Sequence, residues 1–501
     1  MKKILLTLTL LLLVYTTTAE WPRYGGNLEN TGYVTIESTD YNLSDIKIKW
    51  IYYAQEKITT DPITADINNQ GGEETILAAD KTLHVINHQG KPIWTYTTNS
   101  TITTTPTAAD INNNGKKEII IGTIDGVIHV IDHLGKHQWS YVTEGEITNN
   151  PITADLENNQ KKEIIFASAD GNIIILDHKG KKIRSHKTTA ETQTTPAIAD
   201  LNSDGYKDII YGSNDKAIHV MLWRGSIVSY RTDSNHKANP SIYEKTIIAG
   251  NEAGELFKLR LGTQYSEERF ATMRSLKPVW NQSMQGEATS AAIGEQGNKT
   301  IIVVGAGRNL YLLTPEGEEI TRYSTNKEIN QQPAIADLNN DSQLEIIITT
   351  REGETIILNS NHTAVWSHKL DEETTTSPLI TDLELDGRAE IITATRSGML
   401  YVYGTSKPEP QKTTANTTVS STTSTTTTST TSTTLTTSTT TTTQPPNTTP
   451  PRAVISELST ETTAEKKQAP TGRIIGLPVE GAGILILMLF LAGYIYHRTR
   501  I

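Results

Sequence analysis

At 501 residues with a formal net charge of -11, the chain is acidic and shows no basic stripe, which argues against a nucleic-acid partner. It contains no cysteine, so the fold must be held by buried core or by metal, not by disulfides.

The first segment has the form of a secretory signal. Lys2 and Lys3 precede an apolar run from Ile4 to Tyr15, and TTA ends at Ala19, so residues 1–19 are expected to be removed on export. Residues 20–44 lead into a series of internal repeats. The anchors are Pro62, Pro106, Pro151, Pro196, Pro240, Pro333 and Pro378, spaced 44 or 45 residues apart except for one gap of 93, two units wide. The missing anchor falls near Ala288, which gives eight units.

Each unit reads as four short strands. Unit two shows PTAAD, KEIIIGT, GVIHVID and HQWSY, separated by turns rich in Asp, Asn and Gly. Four strands in about 45 residues is the size of a propeller blade. The expected fold is therefore all-β: an eight-bladed β-propeller over residues 45–404. Unit eight ends at GMLYVYG without a tryptophan-bearing fourth strand, whereas IKIKWIYYA around Trp50 stands ahead of unit one. An amino-terminal strand completing the last blade removes an open sheet edge. The longest interruption, Leu261–Trp280, is read either as a pocket wall or as a helical turn on the rim.

Beyond the repeats, residues 405–478 form a Ser/Thr/Pro-rich segment that cannot bury a core and reads as a disordered, O-glycosylated stalk. Residues 479–496, apolar apart from Glu480, are expected to form one transmembrane helix, with 497–501 as a basic cytoplasmic tail. Sequons begin at Asn42, Asn99, Asn281, Asn298, Asn361, Asn416 and Asn447. The expected product is a cell-membrane, single-pass glycoprotein with its propeller outside.

The chemistry-bearing letters recur between the first two strands of each unit. In DLNSDGYKD, loop four, Asp200, Asn202, Asp204 and Asp208 supply side-chain oxygens and Tyr206 a carbonyl. In DLELDGRAE, loop eight, Asp382, Glu384, Asp386 and Glu390 do so, with Arg388 as the carbonyl. Loop two offers Asp110, Asn112, Asn114 and Glu118; loop seven offers Asp337, Asn339, Asp341 and Glu345. Calcium takes six to eight oxygens in a forgiving shell, so these are candidate structural calcium sites. An Asn-rich hairpin satisfying its own backbone explains the same letters, and for loops one and three that explanation leads. His84, His129 and His219 share one third-strand position, which other units fill with Ile, Phe or Tyr, and so read as packing between blades.

Segments such as PAIADLNSDGYKDIIYGS resemble FG-GAP or VCBS repeats, a resemblance that implies calcium in the loops. VIDHLGKHQW, VINHQGKPIW and WPRYGGNLENTGY resemble quinoprotein-like (PQQ-like) propellers, including non-enzymatic outer-membrane assembly lipoproteins. The layout, with stalk and anchor, is similar to archaeal surface proteins. The quinoprotein resemblance implies a PQQ cofactor, but the adjacent-cysteine ring of those enzymes is absent, and an enzyme stands behind two other classes. The favoured class is a binding or cell-adhesion module for a cell-surface glycan or protein; an envelope assembly scaffold is the second. No catalytic residue is assigned.

Overall fold

The computed structural model describes residues 24–36, 42–147, 149–266, 271–296 and 299–405. The expected signal peptide, the stalk beyond Thr405, the membrane helix and its tail lie outside these residues. Among the described residues, no helix is long and apolar enough to cross a membrane.

Eight four-stranded antiparallel sheets form the eight blades of a propeller. Isoleucine, valine and alternating small residues dominate the second and third strands, as in Glu163–Ser168 and Asn172–Leu176, and are buried on both faces because each blade is packed between two others. The hydrophobic clusters lie between adjacent blades, one spanning blades one and two, another blades two and three, and so on. The three-residue first strands are wholly or largely buried, and several touch their counterparts in the next blade, which places them around the axis. Fourth strands face solvent on alternate residues.

Ring closure follows the sequence expectation. The strand Lys47–Tyr53 pairs antiparallel with Met399–Gly404 and becomes the fourth strand of blade eight. Its Trp50 indole donates to the His88 carbonyl of blade one at 3.0 Å and covers Gly90, where an added Cβ would lie 2.8 Å from the ring. Trp94, Trp139 and Trp280 dock in the same way on Gly135, Gly180 and Gly317 of the following blades. In blade three, Arg184 replaces the indole and donates to the Trp223 carbonyl at 2.9 Å.

The Leu261–Trp280 interruption is not a helical turn. The strands Glu255–Ser266 and Ala271–Ser283 continue the third and fourth strands of blade five into one long hairpin, paired from Glu255–Ser283 to Ser266–Ala271. Its Leu276 packs with Val228 of blade four, so the extension leans on its neighbour.

Candidate functional site: polar mouth and acidic hairpins

First strands run from the anchoring prolines towards the acidic hairpins. The prolines and the blade-to-blade crossings therefore lie at one mouth of the ring, and the acidic hairpins on the opposite face. The residue before each anchor is polar in every blade with an anchoring proline: Asp61, Thr105, Asn150, Thr195, Asn239, Gln332 and Ser377, with Ser290 in the divergent sixth blade. These residues bond from blade to blade. Asp61 N–H donates to Thr105 Oγ1 at 3.2 Å, Thr105 N–H to Asn150 Oδ1 at 2.8 Å, and Asn150 Nδ2 to Thr195 Oγ1 at 2.9 Å. Thr195 N–H donates to Asn239 Oδ1 at 2.6 Å and Asn239 N–H to Ser290 Oγ at 2.9 Å. Ser377 N–H donates to Asp61 Oδ1 at 2.6 Å and joins blade eight to blade one. The sequence signal for this ring is a hydrogen-bonding side chain one position before every anchor, a single letter that the strand periodicity does not mark.

The lead-in enters this mouth and lines the channel. Its backbone carbonyls at Leu28, Glu29, Thr31 and Gly32 accept from Ile198, Ile242, Ile293 and Ile335, the middle residue of the first strand in blades four, five and seven and its counterpart in blade six. Asn30, fully buried, donates from Nδ2 towards the Thr195, Pro196 and Pro240 carbonyls, while its own carbonyl accepts from Ser241 and Gln332. Half the inner strand edge is thus paired by a segment from outside the repeats.

Tyr24 stands at the mouth among Asn239, Ser290 and Ser377, and burial, with the nearby Asp61 charge, pushes its hydroxyl pKa up to about 12. Burial lifts the Asp61 carboxyl to about 7, against the opposing Ser377 N–H. Beside Tyr24 a recess of about 320 Å3 opens over blades five to seven, with Lys237, Asn239, Glu287, Asn330 and Gln331 in its wall. Its volume is that of a small-ligand site, but the wall is chiefly polar. Lys237 is ion-paired to Glu252, and burial raises the Glu287 carboxyl above its ordinary value.

On the opposite face the six acidic hairpins share one turn, whatever their ligand letters. In loop four, Asp200 accepts from Asp204 N–H at 3.1 Å and Gly205 N–H at 3.0 Å; Asn202 Oδ1 also accepts from Asp204 N–H, and Asp204 Oδ1 from Tyr206 N–H. Loop seven repeats this with Asp337, Asn339 and Asp341, and loop eight with Asp382 and Asp386. In loop two Asp110 and Asn114 do the same, while Asn112 donates to Glu118. Loop three, without a short third-position side chain, makes the same bonds through Asp155 and Asn159. The fourth and sixth residues are left-handed in all six, including Gln160 and Ser342 at the sixth place.

The ninth-position acids are set apart from the turn oxygens. Asp208, Glu118, Glu345 and Glu390 are buried, and each accepts the N–H of the second loop residue. Burial lifts Asp208 to about 6 and Glu345 to about 8. The Tyr206 ring lies under the Arg224 guanidinium, 3.7 Å from its centroid. Among the described residues, no group of three or more His, Cys, Asp or Glu side chains is gathered as for a metal. The oxygens of the first, third and fifth residues in loops four and seven share one turn, where they accept backbone N–H groups. In loop eight Lys49 Nζ lies 2.8 Å from Glu384 and 2.7 Å from Glu390. The three histidines do not converge: His84 bonds Tyr52 and His129 meets Tyr96, each across a blade boundary, and His219 bonds Ser229 and Asp215.

The family model described as outer membrane protein assembly factor BamB matches residues 50–266. The solved BamB from Moraxella catarrhalis is 14% identical with a TM-score of 0.51, covering 73% of this chain and 98% of that one. The quinohemoprotein alcohol dehydrogenase from Comamonas testosteroni is 12% identical with a TM-score of 0.58, covering 78% and 82%. The fold is that of a PQQ-like β-propeller. The dehydrogenase ADHIIG from Pseudomonas putida HK5 is similar, at 11% identity and a TM-score of 0.55. At such identities the likeness concerns the PQQ-like fold alone. No curated protein matches the chain.

Proposed function

We propose that this chain is a binding module: a propeller exported to the cell surface, raised on its Thr-rich stalk and membrane helix, that takes a glycan or protein ligand at the polar mouth. The observation that carries this reading is the recess beside Tyr24, where amides and hydroxyls on blades five to seven surround a space of about 320 Å3. Such a wall suits a ligand rich in hydroxyl or amide groups, and the lead-in already fills the channel next to it. Calcium in this reading is structural and belongs to the opposite face, in loops two, four and seven. The test is a glycan and protein binding screen on the chain. Saturable binding that Asn330→Trp abolishes by filling the recess, with an unchanged melting midpoint, supports the reading; binding untouched by that change removes the mouth as the site.

The match to the BamB model favours a second reading, an envelope assembly scaffold. It would show as a stable complex with envelope proteins that survives Asn330→Trp.

A further inference from the structure

Loop eight has the calcium-like letters of loop four, yet a cation of the chain itself stands among its carboxylates. Lys49 Nζ lies 2.7 Å from Glu390 Oε1 and 2.8 Å from Glu384 Oε1. The Glu390 side chain is fully buried and that of Lys49 only 15% exposed. Burial works against the ammonium, but the two carboxylates outweigh it and hold Lys49 above its ordinary pKa.

The approach is built into the backbone. Lys49 is the extra residue of a bulge, since Ile48 pairs with Tyr403 and Trp50 with Val402. Most blades carry this bulge at the same place in the fourth strand, and there the extra residue is exposed: Ile93 at 50%, Val279 at 51% and Ile320 at 47%. Only in blade eight is the bulged residue cationic. It reaches the loop across Gly404, where a Cβ would come within 2.8 Å of the Lys49 side chain. Blades one, two, three and seven have Asn87, Asp132, Asp177 and Asn359 in that place. The third loop position also departs from pattern. It is Glu384 here, a glutamate as Glu157 is in loop three, against the shorter Asn112, Asn202 and Asn339 in loops two, four and seven, and in loop eight this carboxylate extends to meet the ammonium.

We infer that loop eight is a cation site occupied by a tethered cation: Lys49, carried in by the amino-terminal strand, takes the place a divalent metal would hold and clasps that strand to the last blade. Loop eight then needs no calcium. It becomes a latent divalent site, with two carboxylates facing one cation position and closed to metal while the lysine is present. Removing the ammonium leaves Glu384 and Glu390 facing each other, one of them fully buried, a strongly unfavourable arrangement unless a metal enters.

The test uses the full-length chain and its melting midpoint, in chelator and in millimolar calcium, alongside terbium luminescence sensitised by the neighbouring Trp50. Lys49→Met is expected to lower the midpoint in chelator by about 5 °C or more. Calcium is expected to restore most of that loss and to add a terbium signal above wild type. Lys49→Met with Glu384→Gln should lose the calcium rescue and the added signal. Lys49→Arg should keep the wild-type response, which separates loss of charge from damage to the strand. A Lys49→Met chain that melts like wild type, or one destabilised without gaining a calcium response, overturns the inference. If Lys49→Met fails to fold in chelator, expression in calcium decides: folding rescued by the ion supports the tethered cation, and failure in both conditions counts against it.

Discussion

Blade four is one continuous stretch of chain and blade eight is assembled from both ends, and their hairpins differ in a way their letters do not announce. In both, the first acid caps the turn and one oxygen of the ninth-position acid accepts the second residue's N–H. The other oxygen finds a different partner. Asp208 Oδ1 accepts from the Trp223 backbone at 3.1 Å, within its own blade, whereas Glu390 Oε1 takes the Lys49 ammonium from 341 residues away. Blade four satisfies its buried acid with nearby backbone, and blade two satisfies Glu118 with the Asn112 amide of the same hairpin. A blade with a seam uses a charge, which holds together segments that no peptide bond joins.

The sharpest way to break this comparison is to loosen the seam and an interior joint by the same truncation. Trp50→Ala removes the indole that docks the closing strand on Gly90 and should cost about 3–5 kcal/mol in denaturant unfolding. Arg184→Ala, at the equivalent joint of blade three, loses one charge-assisted bond and a stacking contact and should cost about 1–2 kcal/mol. Equal losses would mean that the seam is no more demanding than any other joint.

Next in size is the lead-in. Asn30→Ala strands carbonyls of blades four and five that are buried under the segment, and a loss of about 1–3 kcal/mol is expected in the same measurement. A change near zero would mean that the backbone pairing alone seats the segment.

Acidity acts on the seam and the interior alike. Asp61 at the boundary of blades eight and one and Glu163 in blade three both have pKa values lifted by burial to about 7. A carboxyl raised in the folded state binds its proton more tightly than in the unfolded chain. Its contribution is complete below the ordinary carboxyl value near 4 and fades as pH rises through about 7. The melting midpoint should therefore fall between pH 5 and pH 8. Asp61→Asn and Glu163→Gln should each flatten part of that fall; a midpoint that rises over this range would contradict both.

The smallest effects concern the turns. Ser342 holds the left-handed sixth position at φ 63°, where Gly205 and Gly387 stand in loops four and eight, so Ser342→Gly should gain roughly 0.5–1 kcal/mol. On the calcium proposal, chelation should lower the wild-type midpoint by about 2–4 °C. Asp204→Ser should reduce that shift and Asp386→Ser should leave it intact.

The blades were legible because their signals are local: a proline, four β-branched runs and an Asx turn, repeated in nearly the same register. The docking tryptophans could also be followed, since Trp50 ahead of the first repeat matched a gap after the last. The mouth was not legible as a site. Its ring of Asp61, Thr105, Asn150 and their fellows is a single polar letter before each proline, and only closure of the circle brings these residues side by side. The lead-in was recognised as a segment, but nothing in GGNLENTGY states that four of its carbonyls pair with first strands 165 or more residues away. In loop eight, too, the oxygen donors are local, and the Lys49 ammonium that meets two of them is not. In the blade-five insertion, the clustered charges hid an alternating pattern that extends two strands.

The pairing of Lys47–Tyr53 with Met399–Gly404 also sets an order of events. The closing strand is made before every other strand of the propeller, yet its partner is made only after seven and a half blades have followed. Until then its edge, and that of the lead-in, must wait unpaired while neighbouring blades stack on one another. Bringing such distant segments together carries the largest chain-closure entropy in the molecule, although that cost grows only slowly with separation. The final docking of the amino terminus is therefore expected to be the slow, all-or-none step that turns a curved stack of sheets into a ring.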